Sequence, residues 1–316
     1  MSIRSTVLRC SIAAAMLALA SLPAPAQQVT KIRAVAQGIA NFAVLLVARE
    51  KGMFKEQNLE VTWSFVSQGA LGVEAVFGGS AELAGNSVIE PLIARGNGLD
   101  VMYLINNTRI RPTPPDNSGI AVRTADPING PKDLVGKRIS AGLINGPNHV
   151  HLKEWLTRGG VDPASVQYFE LPFPQMTDAL LQNRLDAVWS VEPFLTFLLK
   201  SGSARVIAYP YQGNVPNMDI AAFQVKESWV KANPDVARRL RTALERATKY
   251  LDNASKEERD DWIAKYTGVK LEVVKEINLP LYVTEFDVST LQANLDILVR
   301  QKLTKPFDVN AMVWKP

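Results

Sequence analysis

The chain has 316 residues, of which 47% are hydrophobic, and this length is typical of one to three globular domains with a full core. Its formal net charge is +4, from 35 basic and 31 acidic residues. A surplus this small excludes the strongly basic surface of a nucleic-acid-binding protein, so we expect no nucleic-acid partner.

The first 26 residues have the pattern of a secretory signal peptide. Two arginines precede an apolar run at residues 12–22, and Ala24-Pro25-Ala26 provides the small residues of a cleavage site. The apolar run is shorter than the roughly 20 residues that a membrane helix needs. We therefore predict export and cleavage after Ala26. The single cysteine, Cys10, lies inside this segment, so the mature protein would contain none.

Strands and helices alternate directly after this segment. Residues 29–37 read as a first strand, and residues 42–48 are apolar on all sides, as in a buried helix. A second strand is predicted at residues 60–66, and a helix with free N–H groups at its start begins near Gln68. Residues 101–105 are the next buried strand. This order is typical of a mostly parallel sheet flanked by helices.

One sequence pattern occurs twice in the chain. Residues 73–87 and 177–194 each contain a helix, a turn, an acidic residue and a short apolar strand that ends in polar residues. Three pairs of residues correspond at a constant offset: Ala75 with Ala179, Glu82 with Asp186, and Asn86 with Ser190. Two similar halves predict two similar lobes with a cleft between them.

Two connectors rich in proline, glycine and asparagine divide the chain, at residues 106–118 and 209–218. Their prolines oppose a helix or a central strand, so we place one crossing between the lobes just after the first connector and the return crossing in the second. The predicted domains are a signal peptide at 1–26, a discontinuous lobe 1 at 27–118 and 216–316, and lobe 2 at 119–215. A strand at 219–225 should rejoin lobe 1, and a helical tail should pack on that lobe. The tail helices are predicted at 234–251, 256–266, 271–278 and 289–302.

Three segments carry a family resemblance: residues 47–61 (VAREKGMFKEQNLEV), 130–139 (GPKDLVGKRI) and 171–194 (LPFPQMTDALLQNRLDAVWSVEPF). In this order and spacing, the chain resembles the periplasmic solute-binding proteins of ABC importers, in the group that serves nitrate, sulfonates, taurine and thiamine-pyrimidine precursors. The resemblance implies a type II periplasmic binding protein fold. That fold has two α/β lobes, each a mostly parallel sheet flanked by helices, joined by two crossovers.

The resemblance also implies a function. A small-molecule ligand would be trapped between the lobes and delivered to an ABC permease in the inner membrane, which a cytoplasmic ATPase drives, and the binding protein would act as a monomer in the periplasm. Two departures leave the ligand open. The loop at residues 38–42 lacks a tryptophan that some members have, and the proline-rich segment carrying Arg109 and Arg111 is longer than usual. A sulfonate, a carboxylate and a pyrimidine-like heterocycle all remain candidates.

In open α/β sheets, ligands bind outside the carboxyl ends of the strands, and this rule selects the candidate site residues. In lobe 1 they are Asn41, Phe42, Gln68, Asn86 and Ser87. Asn86 and Ser87 precede a helix, where a polar side chain caps the helix or the same free N–H groups bind an anion. For Phe42 the family position favours the cleft over the core.

In lobe 2 the candidate residues are Asn148, His149, Gln175, Trp189 and Glu192. Glu192 precedes a proline and either contacts the ligand or caps the helix that begins there. Trp189 either stacks on a flat ligand or fills the core. Arg109 and Arg111 either grip an acidic group or are solvated charges in the connector.

No metal or cofactor is expected. His149 and His151 are the only histidines, and side chains two positions apart on a helix point about 200° from each other. The two rings cannot face one ion, and no further ligand residues stand near them in the sequence.

Catalytic motifs are missing from the sequence, including a mature cysteine nucleophile, a G-x-S-x-G elbow, an H-E-x-x-H pair and a P-loop. We therefore predict a binding protein and no enzyme. The family also contains thiamine-pyrimidine synthases, an alternative that the signal peptide and the lack of mature cysteine oppose. An exported ligand-sensing protein is a third possibility that the sequence leaves open.

Overall fold

The computed structural model describes residues 29–316 as a mixed α/β protein with two β-sheets. The predicted signal peptide, residues 1–26, lies outside the described residues. The strands are β1 (Thr30–Ala36), β2 (Leu59–Phe65), β3 (Leu83–Ser87), β4 (Met102–Arg109), β5 (Ser118–Arg123), β6 (Arg138–Ser140), β7 (Gln167–Tyr168), β8 (Ala187–Val191), β9 (Ala204–Ala208), β10 (Asp219–Val225) and β11 (Leu281–Tyr282). The helices are α1 (Val44–Glu50), α2 (Met53–Glu56), α3 (Gly69–Gly78), α4 (Ile89–Gly96), α5 (Pro147–Arg158), α6 (Phe173–Leu181), α7 (Phe194–Lys200), α8 (Pro210–Asn214), α9 (Glu227–Ala232), α10 (Pro234–Asn253), α11 (Lys256–Thr267), α12 (Leu271–Val274) and α13 (Val288–Arg300).

The first sheet has the strand order β11-β4-β10-β3-β1-β2. β1 pairs in parallel with β2 and with β3, whereas β10 is antiparallel to both β3 and β4. The chain therefore returns to the first sheet through β10, the strand that the sequence predicts at residues 219–225. β11 adds a short antiparallel edge strand that the sequence did not predict.

The second sheet has the order β7-β6-β8-β5-β9. β6 pairs in parallel with β7 and β8, and β5 is antiparallel to β8 and β9. In each sheet most strands thus run in one direction, but the strand through which the chain enters from the other half, β5 or β10, runs the opposite way, as does the edge strand β11. The predicted limits of the lobes, near residues 118 and 216, stay a prediction.

Both predicted connectors contain regular structure. The first was expected from residue 106, but β4 continues through Arg109 because its backbone pairs with β10 and β11, and the amides of Asn106 and Asn107 also find partners. The Nδ2 of Asn106 donates to the carbonyl of Glu285 at 3.0 Å, and that of Asn107 to the carbonyl of Asn41 at 2.6 Å. The second connector contains α8, which starts at a proline, a residue suited to the first turn of a helix.

The repeated pattern forms the same hydrogen bonds in both sheets. The carboxylate of Glu82, before β3, accepts from the backbone N–H of Arg33 on β1 at 2.7 Å and pairs with its guanidinium. The carboxylate of Asp186, before β8, accepts from the backbone N–H of Arg138 on β6 at 2.8 Å and pairs with its guanidinium at 2.9 Å. The repeated acid therefore joins the turn to the neighbouring parallel strand.

The turn that ends the repeated helix is also the same in both copies. The carbonyl of Ala75 accepts from the N–H groups of residues 80 and 81 at 3.0 and 3.1 Å. The carbonyl of Ala179 accepts from those of residues 184 and 185 at 2.9 and 3.1 Å. The constant sequence offset is thus reproduced at the level of backbone hydrogen bonds.

The helical tail packs on the first sheet and also reaches the second. α10 buries Leu240 and Leu244 against α1 and β4. α13 contacts α5: Asn294 lies 3.0 Å from the Nε2 of His151, and Arg300 pairs with Glu154 at 2.9 Å. The expectation that the tail packs on lobe 1 is therefore incomplete. Within residues 29–316 no helix is both long and apolar enough to cross a membrane.

Replacing Asp186 with asparagine should lower the free energy of unfolding by about 1 kcal/mol at neutral pH, since a charge-assisted hydrogen bond is lost. The hydrogen bond with Arg138 holds the pKa of Asp186 below its ordinary value. The stabilisation is therefore present above that ordinary value and disappears as the pH falls through the lower folded pKa. The difference between wild type and variant, measured by urea unfolding, should shrink towards about pH 3.

The matched control is Asp178→Asn on α6, where the aspartate is exposed. This variant should differ little from the wild type at either pH. A difference for Asp186→Asn that stays constant from neutral to acidic pH would contradict the assigned role of the ion pair.

Candidate functional site

A cavity of about 760 Å³, partly open to solvent, lies between the two sheets at the carboxyl ends of their parallel strands. In the first sheet, Gln37 follows β1, Gln68 follows β2 and Ser87 ends β3, and all three line the cavity. The edge of a sheet where parallel strands end is where ligands bind in this class of fold.

The second sheet contributes its own parallel strands to the opposite wall. Ala141 follows β6, Leu171 comes after β7 and Val191 ends β8. All six parallel strands that bear these residues therefore point their carboxyl ends at one cavity.

The antiparallel strands reach the same cavity from their amino ends. Ser118 begins β5, Ile220 and Ala221 lie at the start of β10, and all three line the wall. Tyr211, in the second connector, also lines it. The two passages of the chain between the halves consequently form part of the cavity.

The wall combines apolar side chains with amide and hydroxyl groups. Ile39, Phe42, Leu143 and Phe173 are among the apolar members. Among the described residues that line the cavity none is a lysine, arginine or histidine, and Glu90 is the one carboxylic acid. The cavity is thus suited to a small organic molecule held by few polar contacts.

Two long helices begin at the cavity. α3 starts at Gly69 and α5 at Pro147, both in the wall, and neither helix has a side chain bound to its first N–H groups from the capping position. Such helix ends carry partial positive charge and unused donors. They favour acceptor atoms of a ligand on both sides of the cavity.

Five of the ten predicted site residues line the cavity: Asn41, Phe42, Gln68, Ser87 and Asn148. Asn41 is held in place by a hydrogen bond from its Nδ2 to the Oγ1 of Thr108 at 2.8 Å. Phe42 packs edge-on against Phe223, with ring centroids 5.8 Å apart. The Oγ of Ser87 accepts from the N–H of Ile89, the first residue of α4, at 3.0 Å.

Asn86 lies behind the wall. Its side chain is fully buried against α3, where its Nδ2 donates to the carbonyl of Gly69 at 2.7 Å. A Cβ added at Gly72 would overlap the amide of Asn86, with its Cγ at 2.9 Å. The glycine therefore makes room for the asparagine, which positions the cavity-forming end of α3.

Trp189 is fully buried and packs against Tyr211, with ring centroids 4.7 Å apart. It therefore lies in the core, the second of the two positions considered for it. Asn148 joins the two residues: its Oδ1 accepts from the hydroxyl of Tyr211, and its Nδ2 donates to the carbonyl of Trp189 at 3.4 Å. Trp189 thus supports the wall from behind.

Glu192 caps α7 instead of lining the cavity. Its carboxylate accepts from the N–H and the hydroxyl of Thr196, both at 3.0 Å. It also accepts from the N–H of Asn278 at 3.1 Å, a residue in the tail that follows the first sheet's last long strand. Burial raises the pKa of Glu192, and these hydrogen bonds oppose the rise. The acid therefore links the second half to the tail.

The histidines do not form a metal site. The Nδ1 of His149 accepts from the N–H of Asn145 at 3.0 Å, its ring meets Tyr168, and burial lowers its pKa to about 4. His151 is buried on another side of α5. Among residues 29–316 no three or more His, Cys, Asp or Glu side chains come together as potential metal ligands.

The remaining predicted residue, Gln175, is exposed on α6 and lies outside the cavity wall.

The two arginines of the first connector, Arg109 and Arg111, lie outside the cavity wall and bind other parts of the protein. Arg109 pairs with the buried carboxylate of Asp219 at 2.7 Å. Arg111 donates to the carbonyl of Leu279 at 2.7 Å. Both arginines therefore fasten the first connector to β10 and to the tail.

Most residues of the wall were not predicted from the sequence, and Glu90 and Tyr211 are the two with ionisable side chains. Glu90 stands in the pair Glu90-Pro91, which resembles the pair Glu192-Pro193 of the second copy two residues out of step, and it could have been proposed on that ground. Tyr211 lies in a segment predicted to be only a connector. A buried tyrosine with a polar partner is recognisable only after the segment is folded.

The fold and the cavity place the chain in the class of periplasmic binding protein folds, two α/β units with a ligand-sized space between them. Residues 39–257 match the family described as NMT1/THI5 like, and the chain belongs to this family. The fold class and the family resemblance predicted from the sequence are confirmed.

Individual relatives are distant. The nitrate/nitrite binding protein NrtA of a Nostoc species is 21% identical over 264 residues, which cover 74% of this chain and only 57% of that protein. The alkanesulfonate-binding protein SsuA from Xanthomonas axonopodis pv. citri, bound to MOPS, has a TM-score of 0.76 and 22% identity over 92% of this chain and 100% of its own. The desulfurization enzyme DSZB has a TM-score of 0.65 and 17% identity, covering 90% and 96% of the two chains.

Replacing Gly72 with alanine should lower the free energy of unfolding by about 1–3 kcal/mol, because the added methyl group overlaps the Asn86 amide. Gly78→Ala is the matched control in the same helix, since a Cβ there meets nothing within 4 Å. The control should be neutral or stabilise by up to about 1 kcal/mol. Urea unfolding of both variants tests the prediction, and similar stability of the two would show that Asn86 is not tightly confined.

Proposed function

We propose that this protein is the periplasmic substrate-binding component of an ABC importer, which captures a small organic solute in the cavity between its lobes. The observation that carries the proposal is the shared cavity: the parallel strands of both sheets end at it, and each sheet supplies one wall. A ligand there would touch both halves at once.

The ligand range is a sulfonate, a carboxylate or a pyrimidine-like heterocycle. The cavity wall combines a mostly apolar surface with a few amide and hydroxyl groups, as is typical of small-molecule sites. Helix starts on both walls favour acceptor atoms, and Phe42 and Phe173 favour an apolar or flat body. By analogy with the alkanesulfonate-binding and nitrate/nitrite-binding relatives, alkanesulfonates and nitrate are further compounds to test.

Binding would proceed by closure of the lobes. The open and closed forms would be in equilibrium, and a ligand that contacts both walls would favour the closed form. A permease in the inner membrane, driven by a cytoplasmic ATPase, would recognise that form. The protein would act as an exported monomer after cleavage of the signal peptide behind Ala26, without nucleic acid as a partner.

The similarity to a desulfurization enzyme keeps catalysis as the alternative function. The cavity wall offers little chemistry for it. Glu90 and Tyr211 are the ionisable side chains among the described lining residues, and residues 29–316 contain no cysteine. These groups support binding over nucleophilic catalysis.

A thermal-shift screen of residues 27–316 tests the proposal. The panel contains sulfonates, nitrate, aromatic carboxylates, pyrimidines and flavin-like heterocycles. A bound ligand at about 100 times its Kd should add roughly 2.7 kcal/mol of stability, several degrees in Tm. A hit should also reduce the radius of gyration in small-angle scattering, because the lobes close.

Variants on the two walls then place the site. Gln68→Ala on the first wall and Phe173→Ala on the second should each weaken the hit at least tenfold. Gln175→Ala, on the same helix as Phe173 but exposed, should leave the affinity unchanged. Binding that is insensitive to both wall variants would locate the ligand elsewhere and contradict the proposal.

A further inference from the structure

Glu90 is an acid built into the first wall of the cavity. It lies in the first turn of α4, is 9% exposed, and lines the cavity. Its Oε2 accepts from the hydroxyl of Ser87. Its carboxyl group also packs directly on Gly69, where an added Cβ would lie 2.9 Å from the carboxyl carbon.

No positive charge of the protein accompanies this acid in the cavity. None of the described lining residues is a lysine, arginine or histidine. Burial raises the pKa of Glu90, and the hydrogen bond from Ser87 opposes this rise. No basic side chain among the described lining residues helps to lower the pKa. A buried carboxylate is costly unless it is paired, so a positively charged or N–H-donating ligand group would stabilise it.

We infer that Glu90 determines ligand specificity, by selecting a small organic molecule whose nitrogen group donates hydrogen bonds or carries positive charge, and by rejecting simple anions. The inference rests on the proposed function, because it concerns the ligand of the same cavity. It narrows the ligand range to nitrogen-bearing compounds such as amidines, amines and amino-substituted heterocycles.

The position of the carboxyl group explains the rejection of anions. A helix start such as Gly69 attracts negative charge. Here the carboxyl group of Glu90 already lies against that glycine, so an anionic ligand on this wall would meet this carboxyl group instead of an empty helix end, and a like charge whenever Glu90 is ionised. A donor group on the ligand meets an acceptor at the same place.

Benzamidine and benzoate are matched probes for this inference, since both are flat, forked and similar in size but opposite in charge; benzenesulfonate is a second anion. In isothermal titration at neutral pH, the wild type should bind benzamidine at least tenfold more tightly than either anion. Glu90→Gln should weaken benzamidine binding at least tenfold and leave the anions unchanged or bound more tightly. Glu90→Asp should retain the preference for benzamidine at reduced affinity.

Glu60→Gln is the control variant, because Glu60 is exposed on β2 and lies outside the cavity wall. It should match the wild type with all three probes. Benzamidine binding to the wild type should also strengthen as the pH rises through the pKa of Glu90, since the ionised acid is the better acceptor. That pH dependence should vanish in Glu90→Gln, whose unliganded Tm reports whether the variant is folded.

Three results would overturn the inference. Tighter binding of an anion than of benzamidine by the wild type would do so while leaving capture of a solute in the cavity intact. An equal loss for all probes in Glu90→Gln would assign Glu90 a structural role. Failure of every probe to bind would also overturn it, whereas the fate of the proposed function would still be decided by the broader thermal-shift panel.

Discussion

The position of the cavity depends on one constraint: strands that run in parallel end at the same edge of their sheet. Both sheets direct this edge to a common space, so residues that follow β1, β2, β3, β6, β7 and β8 meet there. The helices that start after β2 and β6 bring their N–H groups to the same place. Side chains that are far apart in the sequence are thereby collected without any long loop.

The frame of the fold was largely predictable from the sequence because it is encoded by local patterns that occur twice. Glu82 and Asp186 each fix the turn before a strand to an arginine on the neighbouring strand, and this role requires only an acid at one position. Strand extension through Asn106 and Asn107 was not predictable, because it depends on pairing with β10, a strand distant in the sequence, and their amides also bind partners from distant segments.

The candidate site was predictable only in part, because the sequence gives the end of a strand but not the direction of each side chain. Consecutive residues of a strand point to opposite faces, so Ser87 reaches the cavity while Asn86 faces α3. On the helix α5, consecutive side chains are about 100° apart, so Asn148 lies in the wall while His149 turns to Tyr168. Glu192 binds the backbone of Asn278, a contact that no local pattern contains.

The two passages between the halves form part of the cavity wall at Ser118, Tyr211 and Ile220. In the proposed lobe closure, a ligand in the cavity would therefore lie next to the axis of rotation. Under rotation, an atom moves in proportion to its distance from the axis. A wall adjustment of a fraction of an ångström beside the pivot therefore becomes a displacement of several times that size at the outer rims of the lobes. If the protein works by lobe closure as proposed, ligands that differ little in size would therefore give clearly different positions of the outer rims.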